Sequence, residues 1–125
     1  MATEFLPSVG FTLTIPNITS LVRADDLEFG ANAQAPPDNC VAIVVFNMST
    51  ADRVLVKFGQ VGIVNSETMT ITNSTVLPVS SSMTFSLGAL GQRIHLYTGG
   101  QANLYFMAET TAANVLVNVT YLQGT

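Results

Sequence analysis

The sequence predicts an all-β fold, a single-domain antiparallel β-sandwich of the jelly-roll kind, and three observations carry that prediction. Apolar residues alternate with polar ones along most of the chain. Gly and Asn interrupt the alternating segments at short intervals. No window of helical length keeps an i, i+3, i+4, i+7 apolar stripe free of Gly, Pro and β-branched residues. A period of two sets one row of side chains against oil and the next against water, which is the pattern of a half-buried strand.

The elements follow in order. Phe11, Leu13 and Ile15 alternate with Thr12 and Thr14, a first strand. Arg23 to Leu27 is the best candidate for a short helical turn. Gly30 to Asn39, GANAQAPPDN, carries two prolines and no alternation, and reads as an exposed loop. It is either a plain connection or an arm that touches a neighbouring subunit. Val41 to Phe46, VAIVVF, is a buried strand, and Val54, Val56 and Phe58 alternate with Leu55 and Lys57 in the next. Alternation returns at Thr68 to Thr72, Met83 to Leu87, Arg93 to Thr98, Asn103 to Ala108 and Asn114 to Tyr121. Turn chemistry separates these segments at Gly59, Gly62, Asn65-Ser66, Asn73-Ser74, Gly88, Gly91 and Gly99-Gly100. Eight to ten short strands of this kind make a sandwich or barrel, with a jelly roll of two packed sheets as first choice. The expected core comprises Val41, Ile43, Val45, Val54, Val56, Phe58, Phe85, Leu87, Ile94, Leu96, Val115, Val117 and Val119.

At 125 residues the chain has room for one core. The domain is expected to span residues 10–125, preceded by an N-terminal segment, residues 1–9. Phe5, Leu6 and Val9 beside Pro7 are too apolar for a loose tail, so the segment covers a sheet edge of its own chain or docks on another.

Charged residues make up 10% of the chain, against roughly 25% in an ordinary soluble domain. Arg23, Arg53, Lys57 and Arg93 are the only Lys and Arg residues, and the net charge is −4. Nucleic-acid binding draws on clustered cations, so DNA and RNA are not expected partners. Val41 to Phe46 is far shorter than the ~20 apolar residues a membrane helix needs, so no membrane partner is expected either. The first ten residues, MATEFLPSVG, lack the basic and apolar regions of a secretory signal. Cys40 is the sole cysteine, which suits a reducing cytosol and a reduced, non-catalytic thiol. Sequons at Asn17, Asn47, Asn73 and Asn118 are chance products of a chain rich in Asn, Ser and Thr.

Catalytic chemistry needs a nucleophile with its base, paired carboxylates or a metal cluster. The chain has no GxSxG, HExxH or CxxC motif and no phosphate-binding glycine loop. His95, the one histidine, shares a strand face with Arg93 and Tyr97 and reads as a surface or interface residue. Asp25, Asp26 and Glu28 form one acidic cluster, read as a solvated turn or helix start, with Ca²⁺ binding as the alternative. No catalytic residue, metal site or cofactor is therefore expected, and the chain is not expected to be an enzyme. The absence of Trp argues against the flat aromatic shelf of a sugar site, and Tyr97, Tyr105 and Tyr121 sit inside strand patterns where packing is their role. Tyr97 and Tyr105 flank one turn and are candidates for a cross-strand pair.

The stretch Val76 to Leu87, VLPVSSSMTFSL, shows what the low charge means. Its wet row is Ser and Thr, and no charge occurs from Thr68 to Gln92. Sheet edges are ordinarily guarded by charge, Pro, bulges or cover. A chain with little charge is left with closure or with cover by another subunit. Uncharged polar faces also cost less to dehydrate than charged ones, so this surface suits permanent assembly.

The order VLVKFG, then VLPVSSSMTFSL, then RIHLYTGGQANLYFMA, within Asn47 to Ala108, resembles small virion proteins of tailed bacteriophages, the β-sandwich capsid decoration or cement proteins. Val79 follows Pro78 where that pattern has Pro-Gly, and the strand Asn114 to Tyr121 replaces a Gly-rich ending. The resemblance implies a structural virion protein on the capsid exterior, made in the host bacterial cytoplasm. It further implies a homotrimer whose partners are itself and the major capsid protein. Phe5, Leu6, Pro7, Pro36 and Pro37 are then the candidate capsid or subunit interface residues. The alternative is a tail- or fibre-associated β-sandwich module that recognises a host surface glycan.

Overall fold

A computed structural model describes residues 5–16, 21–34, 40–60, 74–86, 102–109 and 114–124. They form eight strands: β1 (Phe5–Ile15), β2 (Val22–Arg23), β3 (Cys40–Asn47), β4 (Val54–Gln60), β5 (Thr75–Leu77), β6 (Ser82–Ser86), β7 (Ala102–Ala108) and β8 (Val115–Gly124). The described residues contain no helix. Two antiparallel four-stranded sheets result, sheet A in the order β1-β8-β3-β6 and sheet B in the order β2-β7-β4-β5. The pairs nest: β1 lies beside β8, β2 beside β7, β3 beside β6 and β4 beside β5. The fold is a small antiparallel β-sandwich.

Period-two patterning explains which side chains fill it. From sheet A, Phe11, Leu13 and Ile15 of β1, Ile43 and Val45 of β3, and Val115, Val117, Val119 and Tyr121 of β8 are buried. Sheet B contributes Val22, Val54, Val56, Leu77, Leu104, Phe106 and Ala108 to the same cluster. Most are β-branched or aromatic, shapes that pack well on a pleated surface. Each large aliphatic or aromatic side chain so buried adds about 1.5–3 kcal/mol. Tyr121 meets Phe11 edge to face at 5.6 Å, an arrangement aromatic quadrupoles favour.

Several expectations need correcting. Val41 is half-buried, because the register of β3 against β8 shifts between Cys40 and Ala42. That bulge turns Cys40 inward in its place. Phe85 is half-buried, lying on the five-residue strand β6 that ends the sheet order. The expected helical turn at Arg23 to Leu27 is instead the end of β2 followed by turns. Val22 and Arg23 pair with Phe106 and Tyr105, and the Asp26 carboxylate accepts the backbone N–H of Glu28. A side chain that satisfies its own backbone in this way competes with a helix. The expected exposed loop begins with packed residues, since Gly30 and Ala33 are buried and the Tyr121 hydroxyl donates to the carbonyl of Gln34. The expected strands at Thr68 to Thr72 and Arg93 to Thr98 lie outside the described residues, as do Leu87, Ile94, Leu96 and the side chain of Phe58.

Candidate functional site

The registers of sheet A lay out its outer face in rows. Thr12, Asn118, Phe46 and Ser82 form one row across β1, β8, β3 and β6. Gly10, Thr120, Val44 and Thr84 form the next, and Pro7, Leu122, Ala42 and Ser86 the last. Beyond the first row Thr14 pairs with Leu116, whose carbonyl accepts the N–H of Met48 at 2.9 Å. Phe46, Met48 and Leu116 thus lie together at one end of the face, 39%, 44% and 43% exposed. The nearest row carries Thr12, Asn118 and Ser82, and the farther rows mix Thr and Ser with Gly10, Val44, Pro7, Leu122 and Ala42. None of the four strands of sheet A contains a charged residue.

Charge gathers elsewhere. Arg23, Asp25, Asp26, Glu28, Asp52, Arg53, Lys57 and Glu109 all lie in the strands of sheet B or in segments flanking them. Arg23 pairs with Asp25 and Arg53 with Glu109. The hydrogen bond to Asp25 raises the Arg23 pKa, against the lesser opposing pull of burial. Tyr105 sits between Arg23 and Lys57 across the strands. Burial raises its pKa, outweighing the positive charge of Arg23. The outer side of sheet B is nevertheless closed, with Leu55, Tyr105 and Met107 buried and Leu21 and Val76 packed on them.

Where β3 leaves sheet A for sheet B, Asn47 joins the two. It is fully buried, and its amide nitrogen donates to the carbonyls of Asp52 at 2.8 Å and Leu77 at 3.3 Å. Its amide oxygen accepts the N–H of Ser49 at 2.9 Å. The Ser49 hydroxyl in turn accepts the N–H groups of Ala51 and Asp52, and the Ser49 carbonyl accepts the N–H of Ser80 at 2.9 Å. Ser80 has φ of 51°. The left-handed residue of this turn is therefore two places after Pro78, so Val79 itself has no need of glycine's freedom. The sequon at Asn47 is thus a structural tie with its nitrogen already engaged.

The edge of sheet A at β1 is partly closed by the chain itself. Thr14 donates its N–H to the carbonyl of Phe29 at 2.7 Å. A Cβ on Gly30 would stand 2.8 Å from Leu13 Cδ2 and 2.9 Å from the Thr12 carbonyl, so the loop approaches as closely as only glycine allows. An open groove of about 470 Å³ lies beside it, lined by residues including Thr12, Thr14, Leu27, Glu28, Phe29 and Asn114.

Phe5, Leu6 and Pro7 belong to β1, where they pair with Gly124, Gln123 and Leu122 of their own chain. Pro7 is exposed and lies at a register shift, two of the usual guards of an edge. Pro36, Pro37, His95 and Tyr97 lie outside the described residues. Asp25 and Asp26 are occupied by Arg23 and by the Glu28 N–H. Among the described residues no group of three His, Cys, Asp or Glu could hold a metal ion, and no helix could cross a membrane. Cys40 is a buried thiol that donates to the Ala42 carbonyl at 3.3 Å. Sequence reading missed Phe46, Met48 and Leu116 as surface residues. The signal was present in phase: Phe46 and Leu116 each fall one residue out of step with the inward Val45 and Val115.

Comparison of the chain with protein-family models, with curated proteins and with solved structures finds no match.

Proposed function

We propose that this chain is a non-enzymatic structural protein of a tailed-phage virion, a capsid cement protein that sits as a homotrimer on the outside of the assembled shell. One observation carries the reading: the four strands of sheet A contain no charged residue, and Phe46, Met48 and Leu116 lie exposed on its outer side. Hydroxyls and amides there lose water without leaving an ion unpaired, and the exposed Phe46, Met48 and Leu116 gain by losing it. The nested strand order agrees with a jelly roll, a fold that recurs in viral shells and in lectins, so fold likeness alone speaks for more than one function.

The mechanism is linkage without chemistry. A protein that binds only assembled capsid subunits stabilises the assembly by RT ln(1 + [L]/Kd), and three linked copies grip with avidity. Co-sedimentation with assembled tailed-phage shells tests it. The chain is expected to pellet with shells, to ignore unassembled major capsid protein, and to raise the temperature at which shells come apart. Failure to pellet with any such shell contradicts the reading.

A second reading, a tail- or fibre-associated module for a host surface glycan, is favoured by the groove beside β1. Its Thr hydroxyls, the Asn114 amide and the Glu28 carboxylate offer hydrogen bonds next to apolar Leu27 and Phe29. Specific glycan-array binding that is lost in Asn114→Ala, by a chain that ignores shells, would establish it over the first.

A further inference from the structure

We infer that copies of this chain meet through the outer face of sheet A, with Phe46, Met48 and Leu116 nearest the symmetry axis. This rests on the assembly reading above and names the surface and the partner, a second copy of the same chain.

Charge supplies the first reason. Side chains next to a rotation axis meet their own counterparts, so a charged residue there faces its like. All the described charged residues lie in sheet B or the segments flanking it, and the strands of sheet A carry none. Among the described residues the outer face of sheet A can therefore meet itself with few like charges, Glu28 at the groove beside Thr12 and Thr14 being the nearest, although the chain as a whole carries −4.

Chemistry supplies the second. Thr12, Thr84 and Ser82 carry hydroxyls that both donate and accept, while Asn118 is engaged within the chain, donating to the Phe11 carbonyl at 3.2 Å and accepting from the Thr120 hydroxyl at 2.8 Å. Identical copies of such a surface satisfy one another, which a surface of donors alone or acceptors alone cannot do.

Area supplies the third. Four strands about 4.8 Å apart, with a rise of about 3.3 Å per residue over some eight residues, present roughly 500 Å². Around a three-fold axis each copy turns part of this face to one neighbour and part to the other, so a trimer removes at most about 1,500 Å² from water in all, a modest area. Association is therefore expected to be measurable and concentration-dependent.

Two measurements test it together, sedimentation of charge variants and oxidative crosslinking of cysteine variants. Phe46→Glu and Thr84→Glu should each weaken self-association by at least about tenfold, because each buries a carboxylate beside its own copy. Thr75→Glu, at an exposed position of sheet B, should leave it unchanged. Leu116→Cys should form an intermolecular disulfide on oxidation, and Thr75→Cys should not. If Phe46→Glu does not fold, the exposed Thr84 position decides alone. Unchanged association in the Thr84→Glu chain, crosslinking at Thr75 in place of Leu116, or a wild-type monomer overturns the inference. The cement reading fails separately: a chain that associates through this face but ignores every shell keeps the inference and loses the reading. A wild-type monomer that still binds shells does the reverse.

Discussion

On sheet B the outward Leu55, Tyr105 and Met107 are 3%, 4% and 6% exposed, with Leu21 and Val76 packed over them. On sheet A the outward Phe46 and Leu116 are 39% and 43% exposed, and the same face carries Thr, Ser and Asn together with Val44, Ala42 and Leu122. The inner faces of the two sheets are alike, with Val, Leu, Ile and aromatic side chains meeting in one cluster. Charge divides them again, since Arg23 and Lys57 lie in strands of sheet B and none lies in sheet A. A soluble sheet with an apolar outer side must be covered, and a sheet with an open outer side is ordinarily charged. Among the described residues the strands of sheet A carry no charge and leave Phe46 and Leu116 exposed, so the difference from sheet B marks the surface where assembly is expected.

The joint between the sheets gives the largest expected effect. Asn47→Ala removes three hydrogen bonds and leaves the buried Leu77 carbonyl without its Asn47 donor. A loss of roughly 2–4 kcal/mol is expected in denaturant unfolding. A loss below about 1 kcal/mol would mean that the sheets are held together without this tie.

Closure of the β1 edge comes next. Gly30→Ala sets a methyl group 2.9 Å from the Thr12 carbonyl, which is backbone and yields little. Destabilisation of about 1–3 kcal/mol is expected, together with faster amide exchange at Thr14, whose N–H is held by Phe29. An unaltered exchange rate at Thr14 would separate the loop from the edge.

Tyr121 distinguishes the interior of sheet A by pH. Burial raises its pKa well above the usual tyrosine value, with smaller contributions from Asp25 and Cys40. A phenol that keeps its proton when folded and loses it near pH 10 when unfolded stabilises the fold fully below about pH 10. That contribution falls as pH rises from there toward the folded value. Tyr121→Phe should cost about 1 kcal/mol at neutral pH, through the lost bond to Gln34. It should also flatten the alkaline decline of the melting temperature. An equally steep decline in the variant would assign it to other groups.

The smallest effect belongs to the charges of sheet B. The Arg53 side chain is 48% exposed in its pair with Glu109, and exposed pairs are worth about 0–1 kcal/mol. Arg53→Ala should shift stability by less than about 1 kcal/mol and leave assembly intact. Loss of assembly in that variant would move the interface from sheet A to sheet B.

Much of this was legible in the sequence, and the reasons for the remainder are physical. Alternation gave the second half of β1, from Phe11 to Ile15, and β4, β6, β7 and β8, because a run of about five residues in one phase has no helical counterpart. It gave no sign of β2 or β5, which are two and three residues long and owe their conformation to β7 and β4. Local acidity suggested a helix start at Asp25 and Asp26, and pairing of Val22 with Phe106 overrode it. The uncharged hydroxyl row was visible as composition. That it shares a face with Phe46 and Leu116 depends on the registers of β3 with β8 and β6, which pair residues tens of positions apart. Asn47 looked like a chance sequon, since its partner Leu77 is thirty residues away.

The most direct measurement is the native mass of the wild-type chain across a salt series. An interface made by the outer face of sheet A has no ion pairs to screen, so a homotrimer is expected at low salt and, unchanged or slightly tightened, at high salt. A trimer that dissociates as salt rises, or a monomer throughout, would contradict the assignment of assembly to that uncharged face.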